Sequence, residues 1–413
     1  MSSPTAWTLE QGTAQIALIV GEEHVRVRGE SVVCGPADIA QIAQILRFAN
    51  ASGLAVTASG SGTKLGWGNP VAANIRLSME RMNTLREHAW QDMTCTVEAG
   101  STWAAMQAEL ARHGQMVALD PLWPERATVG GIVAVNDSGA LRLRYGGLRD
   151  LIIGMTVVLA DGTIAKTGGK VVKNVAGYDL HKLMTGSFGT LGVIAEVHFR
   201  LHPLERHSRT WTAVAPHPSL FDAPLRALLD SQITPSSVQL RVSQRQSALD
   251  VRIAGLPHCM DGVAARLESI LNPLELSEST ESPWQARQEL VDREGAIVLK
   301  VSSISSEICT VLSELRQWAD DDGMNYEAVA QATGLMMIAI RSAPRAAAAL
   351  VERLRARLRV CDGSVVALQI PEALREKLDV WGNAADTLTL MREIKRRFDH
   401  NRILNPGRFV GNI

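Results

Sequence analysis

Apolar positions in the first 204 residues alternate between helical spacing and the every-second spacing of strands, which predicts a mixed α and β unit. Short polar residues precede the helical runs and glycine follows them, as expected at helix ends. Aspartate and glycine between two apolar runs predict a tight β-turn. In chain order, the predicted elements are a helix from Asp38 to Gly53, a strand at 54–58, a strand at 94–98, a helix from Ser101 or Thr102 to Gly114, a hairpin turning at Asp161-Gly162 and a strand at 193–201.

Beyond Pro203 the pattern changes, because glycine becomes rarer and strands alternate with longer helices. The order strand, helix, strand, strand, helix occurs twice. This order is typical of an antiparallel sheet covered by helices on one face, of the ferredoxin-like type. The predicted elements are strand 208–214, helix 218–231, strands 237–243 and 248–254, helix 259–271, strand 296–302, helix 306–319, strands 325–331 and 335–341, and helix 344–358.

The length of 413 residues and an apolar content of 46% are enough for two hydrophobic cores. We therefore predict an α+β fold with a first domain over 1–204 and a second over 205–379. A C-terminal segment, 380–413, contains a predicted helix at 386–398 and is expected to dock back on the first domain.

Charge and cysteine content narrow the class of protein. With 42 basic and 43 acidic residues the net charge is −1, so no basic field favours nucleic acid or anionic lipid. No apolar run approaches the roughly 20 residues of a membrane-spanning helix. The five cysteines show no CxxC and no clustering with histidine, so we expect reduced thiols in the cytoplasm, no metal site and no iron–sulfur cluster on this chain.

Glycine-rich segments separated by short β-like runs fill the region between 124 and 199. We interpret them as loops whose bare N–H groups surround one large, flat, phosphate-bearing ligand, and the ligand inferred is FAD. The alternative is that these glycines only allow strands to turn and cross. The segments are ATVGGIVAVNDSG (127–139), RYGGLRD (144–150), GGKVVKNVAGYDL (168–180) and GSFGTLG (186–192).

An earlier segment, ASGSGTKLGWG (58–68), follows a predicted strand and also allows close approach of the backbone to a ligand. Its glycine spacing differs from the Rossmann fingerprint, and Lys64 lacks the spacing of a P-loop lysine. We therefore expect loop amides, without a helix dipole, to hold a pyrophosphate here. Taken alone, this segment is also compatible with an ordinary turn.

Together these motifs resemble the FAD-binding PCMH-type flavoproteins of the vanillyl-alcohol oxidase family, and within that family the E subunits of glycolate oxidase. The resemblance extends over almost the whole chain and includes the closing LMREIKRRFDHNRILNPGRF. It implies an FAD-binding domain of two α+β subdomains and makes the ferredoxin-like domain a cap over the flavin. FAD is expected to be non-covalent, because the 58–68 segment contains neither histidine nor cysteine.

The resemblance also implies a set of cofactor-binding residues, with the pyrophosphate at 60–64, the adenosine side near Gly189 and Ile194, and Asn405 near the flavin. The expected set is Ser59, Gly60, Ser61, Gly62, Thr63, Lys64, Gly66, Pro121, Thr128, Gly130, Gly131, Asn136, Ser138, Gly139, Tyr145, Gly146, Asp150, Gly189, Val193, Ile194 and Asn405.

The chain departs from catalytic relatives, which carry an HxGDGNxH segment in the cap and an EHGIG-like segment before the tail. Oxidation of a 2-hydroxy acid needs a base for the hydroxyl proton and a cation for the carboxylate. The predicted cap offers no clear base, so no catalytic residue is assigned. The histidines of the first domain, of which His181 is the first candidate, are better explained as surface or packing residues. Lys173 and Tyr178 either face the flavin or stabilise the subdomain junction.

Two functions remain open at this point. The first is an accessory or electron-relaying FAD subunit of a glycolate oxidase complex, which oxidises glycolate to glyoxylate beside a catalytic flavoprotein subunit and an iron–sulfur subunit. The second is a self-sufficient FAD-dependent 2-hydroxy acid dehydrogenase. A cell-wall UDP-sugar reductase is disfavoured by the tail and the cap size. Any association with the inner membrane is expected to be peripheral and through the partners.

Overall fold

The computed structural model describes residues 8–169, 178–375, 378–382 and 386–413. Two compact units make up the chain. The N-terminal unit contains the described residues of 1–137, 147–204 and 383–413, so that the C-terminal segment clusters with the first part of the chain. The second unit contains 138–146 and the described residues of 205–382.

The first sheet of the N-terminal unit has four strands in the order β1-β2-β4-β3. The first helix packs against β1 and β2 and the second helix packs against the first, with Ile16, Ile42, Leu46 and Ile75 fully buried. The elements are α1 (Leu9–Val20), β1 (Val25–Arg28), β2 (Ser31–Cys34), α2 (Ile39–Ser52), β3 (Val56–Ser59) and β4 (Ile75–Ser78).

The second sheet of this unit has five antiparallel strands in the order β5-β6-β10-β8-β9. Two further short strands, β7 (Gln115–Met116) and β11 (His202–Pro203), pair with each other. The other elements are β5 (Leu85–Ala89), β6 (Thr94–Glu98), α3 (Trp103–Ala111), α4 (Val129–Val135), α6 (Leu148–Leu151), β8 (Ile152–Val158), β9 (Ile164–Gly168), α7 (Leu180–Met184) and β10 (Val193–Arg200); α5 (Arg142–Tyr145) clusters with the second unit.

Several local predictions for this unit are confirmed. Asp38 caps α2 by accepting the N–H of Gln41, and Gly53 ends the helix in the left-handed conformation. Thr102, one of the two candidate residues, caps α3. The hairpin at Asp161-Gly162 joins β8 and β9. The interpretation of 127–139 as a loop is wrong, because its centre forms the helix α4, and RYGGLRD likewise contains the short helices α5 and α6.

The second unit is built on one eight-stranded antiparallel sheet in the order β15-β12-β14-β13-β17-β18-β16-β19. Its elements are β12 (Ser208–Ala215), α8 (Asp222–Leu229), β13 (Ser237–Ser243), β14 (Ser247–Ala254), α9 (Met260–Leu271), β15 (Leu276–Glu278), α10 (Ala286–Val291), β16 (Ile297–Ser302), α11 (Ile308–Asp321), β17 (Asn325–Gln331), β18 (Leu335–Arg341), α12 (Pro344–Arg359) and β19 (Ser364–Gln369).

The twofold repeat predicted for the second unit is confirmed, and the structure adds a strand to each copy. β15 follows the first repeat and β19 the second, so each repeat has the complete order β-α-β-β-α-β of a ferredoxin-like fold. β13 and β17 join the two repeats into a continuous sheet. Leu240, Leu249, Leu299 and Ile338 belong to the core between this sheet and its helices.

The C-terminal segment contains α13 (Leu388–Phe398) and then pairs with the edge of the first sheet. The N–H of Val56 on β3 donates to the carbonyl of Ile403 at 2.7 Å, and the N–H of Asn405 donates back to the carbonyl of Val56 at 2.9 Å. Across the described ranges, no helix combines the length and the apolar character needed to cross a membrane.

Candidate functional site

An open cavity lies in the N-terminal unit where β3 ends and β10 begins. Its empty space is about 680 Å³, counted with its open mouth. The structure brings twelve of the expected cofactor-binding residues together on its wall: Ser59, Gly60, Gly62, Thr63, Lys64, Thr128, Gly130, Gly131, Gly189, Val193, Ile194 and Asn405.

Two glycines of the loop after β3 are required by their surroundings. Gly60 lies against the Thr128 side chain, and a Cβ at position 60 would overlap the hydroxyl oxygen and the methyl group of that threonine. Gly62 has a φ of +78°, in the left-handed region where glycine is favoured. The loop therefore presents bare backbone to the cavity, which suits close approach of a polar ligand.

The helix α4 forms a second part of the wall. Thr128 caps it by accepting the N–H of Gly131, and Gly130 packs on Ala99, where a Cβ would lie 2.8 Å from the alanine methyl. The N–H of Gly130 donates to the carbonyl of Ala99 at 2.8 Å. Because Gly130 and Gly131 line the cavity, the first turn of a helix joins the loop amides here, which the sequence analysis did not anticipate.

Lys64 is buried behind the glycine loop. Its Nζ lies 3.5 Å from Oδ2 of Asp137 and 3.4 Å from the carbonyl oxygen of Leu122. The same nitrogen lies 5.1 Å from the ring centroid of Trp123 and 5.7 Å from that of Trp67, within the range of cation–π attraction. The loop is thus anchored by a buried ion pair between two indole rings.

Asn405 lines the cavity and carries a buried acceptor oxygen. Its Nδ2 donates to the carbonyls of Phe188 and Gly189, both at 3.1 Å, so the orientation of the amide is fixed. The residue is 3% exposed, and its Oδ1 has no hydrogen-bond partner within the part of the chain that the structure describes. A buried acceptor of this kind is normally satisfied, which indicates that a ligand donor belongs in the cavity.

Arg408 also lines the cavity and was missed by sequence reasoning, although it lies within the quoted ILNPGRF segment. Its Nη2 donates to the carbonyls of Lys64 and Leu65 at 3.1 and 3.3 Å. Burial lowers the pKa of this guanidinium to about 10. The C-terminal segment thus holds the glycine loop from behind and places a buried cation next to it. The other lining residues not predicted are Ala58, Leu65, Met79, Ala99, Ala134, Val135, Phe188 and Gly192.

Nine expected residues lie elsewhere. Ser61 belongs to the same loop and its hydroxyl donates to the carbonyl of Arg126, and Asp150 accepts the N–H of Gly147 and so caps α6. Asn136 ends α4 with a φ of +51°. Gly66 and Pro121 also belong to the N-terminal unit, whereas the remaining four cluster with the second unit: Ser138, Gly139, Tyr145 and Gly146.

The candidate catalytic groups are spread over the structure. His181 is buried, burial lowers its pKa, and its Nδ1 has no hydrogen-bond partner within the described ranges. His198 contacts the hydroxyl of Thr96 at 2.8 Å. Tyr178 is exposed, and Lys173 lies outside the described residues. Among the described residues, no three His, Cys, Asp or Glu side chains lie close enough together to hold a metal ion.

Residues 31–168, about a third of the chain, match the family model FAD_binding_4, described as FAD binding domain. FAD is the cofactor of this domain. The matched stretch contains the loop after β3 and the helix α4, which supply most of the expected residues on the cavity wall.

Curated relatives match about half of this chain. Glycolate oxidase subunit GlcD of Bacillus subtilis is 32% identical over 50% of this chain and 44% of its own length. A D-lactate dehydrogenase of Archaeoglobus fulgidus is 38% identical over 46% of this chain and 43% of its own length. The chain therefore matches less than half of each of these two relatives.

The fold is shared with solved structures of other proteins. The structure of p-cresol methylhydroxylase with substrate bound covers 97% of this chain and 96% of its own, with a TM-score of 0.75 and 15% sequence identity. At this identity the likeness concerns the fold alone. The predicted fold class, an α+β FAD-binding PCMH-type domain with a ferredoxin-like antiparallel second domain, is confirmed.

The cavity fits the group that the family model describes. Glycine backbone, where a side chain would clash at Gly60, allows a pyrophosphate to approach the loop. The buried Oδ1 of Asn405 calls for a donor, and the isoalloxazine N–H and the hydroxyl groups of FAD are of that type. The buried cation of Arg408 suits a neighbouring anion.

Proposed function

We propose that this chain binds FAD non-covalently in the N-terminal unit and serves the oxidation of a small 2-hydroxy acid, glycolate in the first place, to the 2-oxo acid. The cofactor would be held by the first turn of α4 and by Ser59, Gly60, Gly62, Thr63, Lys64, Gly189, Val193, Ile194 and Asn405. When bound, FAD supplies the oxidant. The observation that carries the proposal is the glycine-lined cavity with the unsatisfied Oδ1 of Asn405.

The substrate class is supported by two relatives, one named a glycolate oxidase subunit and the other a D-lactate dehydrogenase. Glycolate and lactate share a hydroxyl group next to a carboxylate. Of the two, glycolate is proposed because the sequence motifs over almost the whole chain resemble glycolate oxidase E subunits.

We further propose that the chain is the accessory or electron-relaying FAD subunit of a glycolate oxidase complex, beside a catalytic flavoprotein subunit and an iron–sulfur subunit. The composition of the cavity wall supports this role. Its side chains are suited to binding and orienting a cofactor. The two charged groups on the wall, Lys64 and Arg408, are both engaged with protein atoms: Lys64 pairs with Asp137, and Arg408 donates to the carbonyl of Lys64. Association with the inner membrane would then occur through the partner subunits.

The experiment that tests this role uses the purified chain loaded with FAD under anaerobic conditions. Glycolate, D-lactate or buffer is added and the absorbance of the bound flavin near 450 nm is followed. We expect the flavin to stay oxidised with the chain alone and to bleach with glycolate once the partner subunits are present. Bleaching by the chain alone would replace the accessory role with the second candidate, a self-sufficient 2-hydroxy acid dehydrogenase, which the D-lactate dehydrogenase relative favours.

A further inference from the structure

A buried ion pair lies behind the wall of the cavity. Lys395 on α13 is 3% exposed, Asp399 one turn later is fully buried, and Nζ and Oδ2 lie 2.5 Å apart. Neither side chain is part of the cavity lining. The free energy gained from the attraction of two buried charges often does not exceed the free energy lost by removing them from water. In some proteins such a pair instead fixes the local geometry.

Lys395 joins three separate parts of the N-terminal unit through its ammonium group. Nζ donates to the carbonyl of Thr190 and to the carbonyl of Leu404, both at 2.8 Å, and to Asp399. An ammonium has three N–H donors, so these three contacts account for all of them. Thr190 lies between Gly189 and Gly192 on the cavity wall, and Leu404 directly precedes Asn405.

Asp399 shapes the chain that leaves α13. Its Oδ1 accepts the N–H of Ile403 at 3.0 Å, and its Oδ2 accepts the N–H of Leu404 at 2.8 Å. These contacts turn the chain toward β3, where it pairs with Val56. The carboxylate therefore sets the path of the two residues before Asn405.

Asn405 ties the same two segments together from the cavity side. Its amide holds the carbonyls of Phe188 and Gly189, while Lys395 holds the carbonyl of Thr190 and that of Leu404. The C-terminal segment therefore donates hydrogen bonds to three consecutive carbonyls, those of residues 188–190. A shift of either segment would rotate the unsatisfied Oδ1 of Asn405 out of its present position.

We infer that Lys395 and Asp399 are positioning residues of the flavin site, which hold Asn405 and the 188–190 loop in the geometry that FAD requires without touching the cofactor. The inference rests on the proposed binding of FAD. Burial lowers the pKa of Lys395, against the opposing effect of Asp399, in agreement with an ammonium held away from solvent.

The test measures the affinity of the apoprotein for FAD by quenching of flavin fluorescence, together with the visible spectrum of the bound flavin and the thermal midpoint of the apoprotein. Lys395→Met and the neutral double variant Lys395→Met/Asp399→Asn are compared with the wild-type chain. We expect both to bind FAD roughly tenfold to a hundredfold more weakly, as for the loss of charged hydrogen bonds, and to shift the flavin spectrum. Lys395→Arg should not restore affinity, because a planar guanidinium does not match three acceptors in different directions.

Two controls separate positioning from general stability. Ile16→Val removes a methyl group from the buried face of α1 and should lower the thermal midpoint without changing FAD affinity. Arg396→Gln breaks an exposed pair with Glu393 on the same helix and should change neither quantity.

Wild-type affinity in the variants would overturn the inference, and so would a loss of affinity no larger than in Ile16→Val. Failure of both variants to fold also counts against it, because the pair would then serve the fold and not the site. If the wild type itself binds no FAD, the proposed function fails, and that outcome is distinct from a variant that binds like the wild type.

Discussion

Gly60 and Thr128 approach each other so closely that a Cβ on the glycine would overlap the threonine side chain. The contact joins the loop after β3 to the N-cap of α4, the two segments that make up most of the glycine-rich wall. We predict that Gly60→Ala lowers FAD affinity at least tenfold, because the loop must move away from α4 to admit the methyl group. Fluorescence titration of the apoprotein checks this.

Gly66 provides the matched control in the same loop. A Cβ there meets nothing within 4 Å, and its φ is not in the left-handed region. Gly66→Ala should leave the apoprotein's thermal midpoint close to that of the wild type, whereas Gly60→Ala should lower it. Equal midpoints and equal affinities for the two variants would show that the contact with Thr128 is not what shapes the loop.

FAD affinity should fall less when the side chain of Asn405 is removed than when it is converted to a carboxylate. The backbone φ is +43°, which glycine adopts readily, so Asn405→Gly removes the amide with little strain. Asn405→Asp places an oxygen without N–H groups against the carbonyls of Phe188 and Gly189. We expect FAD affinity to fall in the order wild type, glycine, aspartate. An aspartate variant that binds FAD as well as the wild type would refute the assigned orientation of the amide.

The pair between Lys64 and Asp137 should matter for stability because both side chains are buried. Lys64→Met removes the cation that faces the buried Asp137 carboxylate and should cost about 3–5 kcal/mol of unfolding free energy. The double variant Lys64→Met/Asp137→Asn should regain most of it, since an asparagine oxygen can still accept the Leu122 N–H. Urea denaturation measures the unfolding free energy of both variants. The control is Glu109→Gln, which breaks an exposed pair with Arg112 and should leave the unfolding free energy within roughly 0.5 kcal/mol of the wild type.

Three buried thiols predict a loss of stability in alkali. Burial raises the pKa of Cys34, Cys95 and Cys309 from 9.0 to about 12. The unfolded chain therefore loses these protons first as the pH rises above 9.0, and the folded state is destabilised until about pH 12. Each thiol contributes up to about 1.4 kcal/mol per pH unit in this window.

Cys34→Ala isolates one of these contributions. The variant will be less stable than the wild type at pH 8, but its unfolding free energy should fall less steeply between pH 9 and 11. Parallel pH profiles for the two proteins would contradict the burial of an ionisable thiol at this position. Cys259, which is exposed, should react with a thiol reagent at pH 8 while Cys34 does not.

Much of the fold could be predicted from local sequence because periodicity and capping residues agree with the tertiary structure. Asp38 and Gly53 mark the ends of α2, and the repeated strand–helix order of the second unit survives in the sheet. α4 could not be predicted in this way, since its sequence, VGGIVAV, is rich in β-branched residues and glycine. Thr128 as a cap and the burial of Val129, Ile132 and Val133 outweigh those intrinsic preferences.

The parts of the candidate site that depend on glycine could be predicted from the sequence. Gly60, Gly130 and Gly189 are recognisable in the sequence as positions of close approach or unusual backbone, and all three lie on the cavity wall. The roles of Arg408 and Lys395 depend on contacts with residues that are more than 200 positions away in the chain, at Lys64 and Thr190. No local pattern encodes such contacts.

The most direct test of the account is titration of the folded, FAD-free chain with FAD, followed by flavin fluorescence and visible absorbance. The account predicts saturable binding of one FAD per chain, and a marked loss of that binding in Gly60→Ala. A correctly folded chain that remains colourless in excess FAD would contradict it.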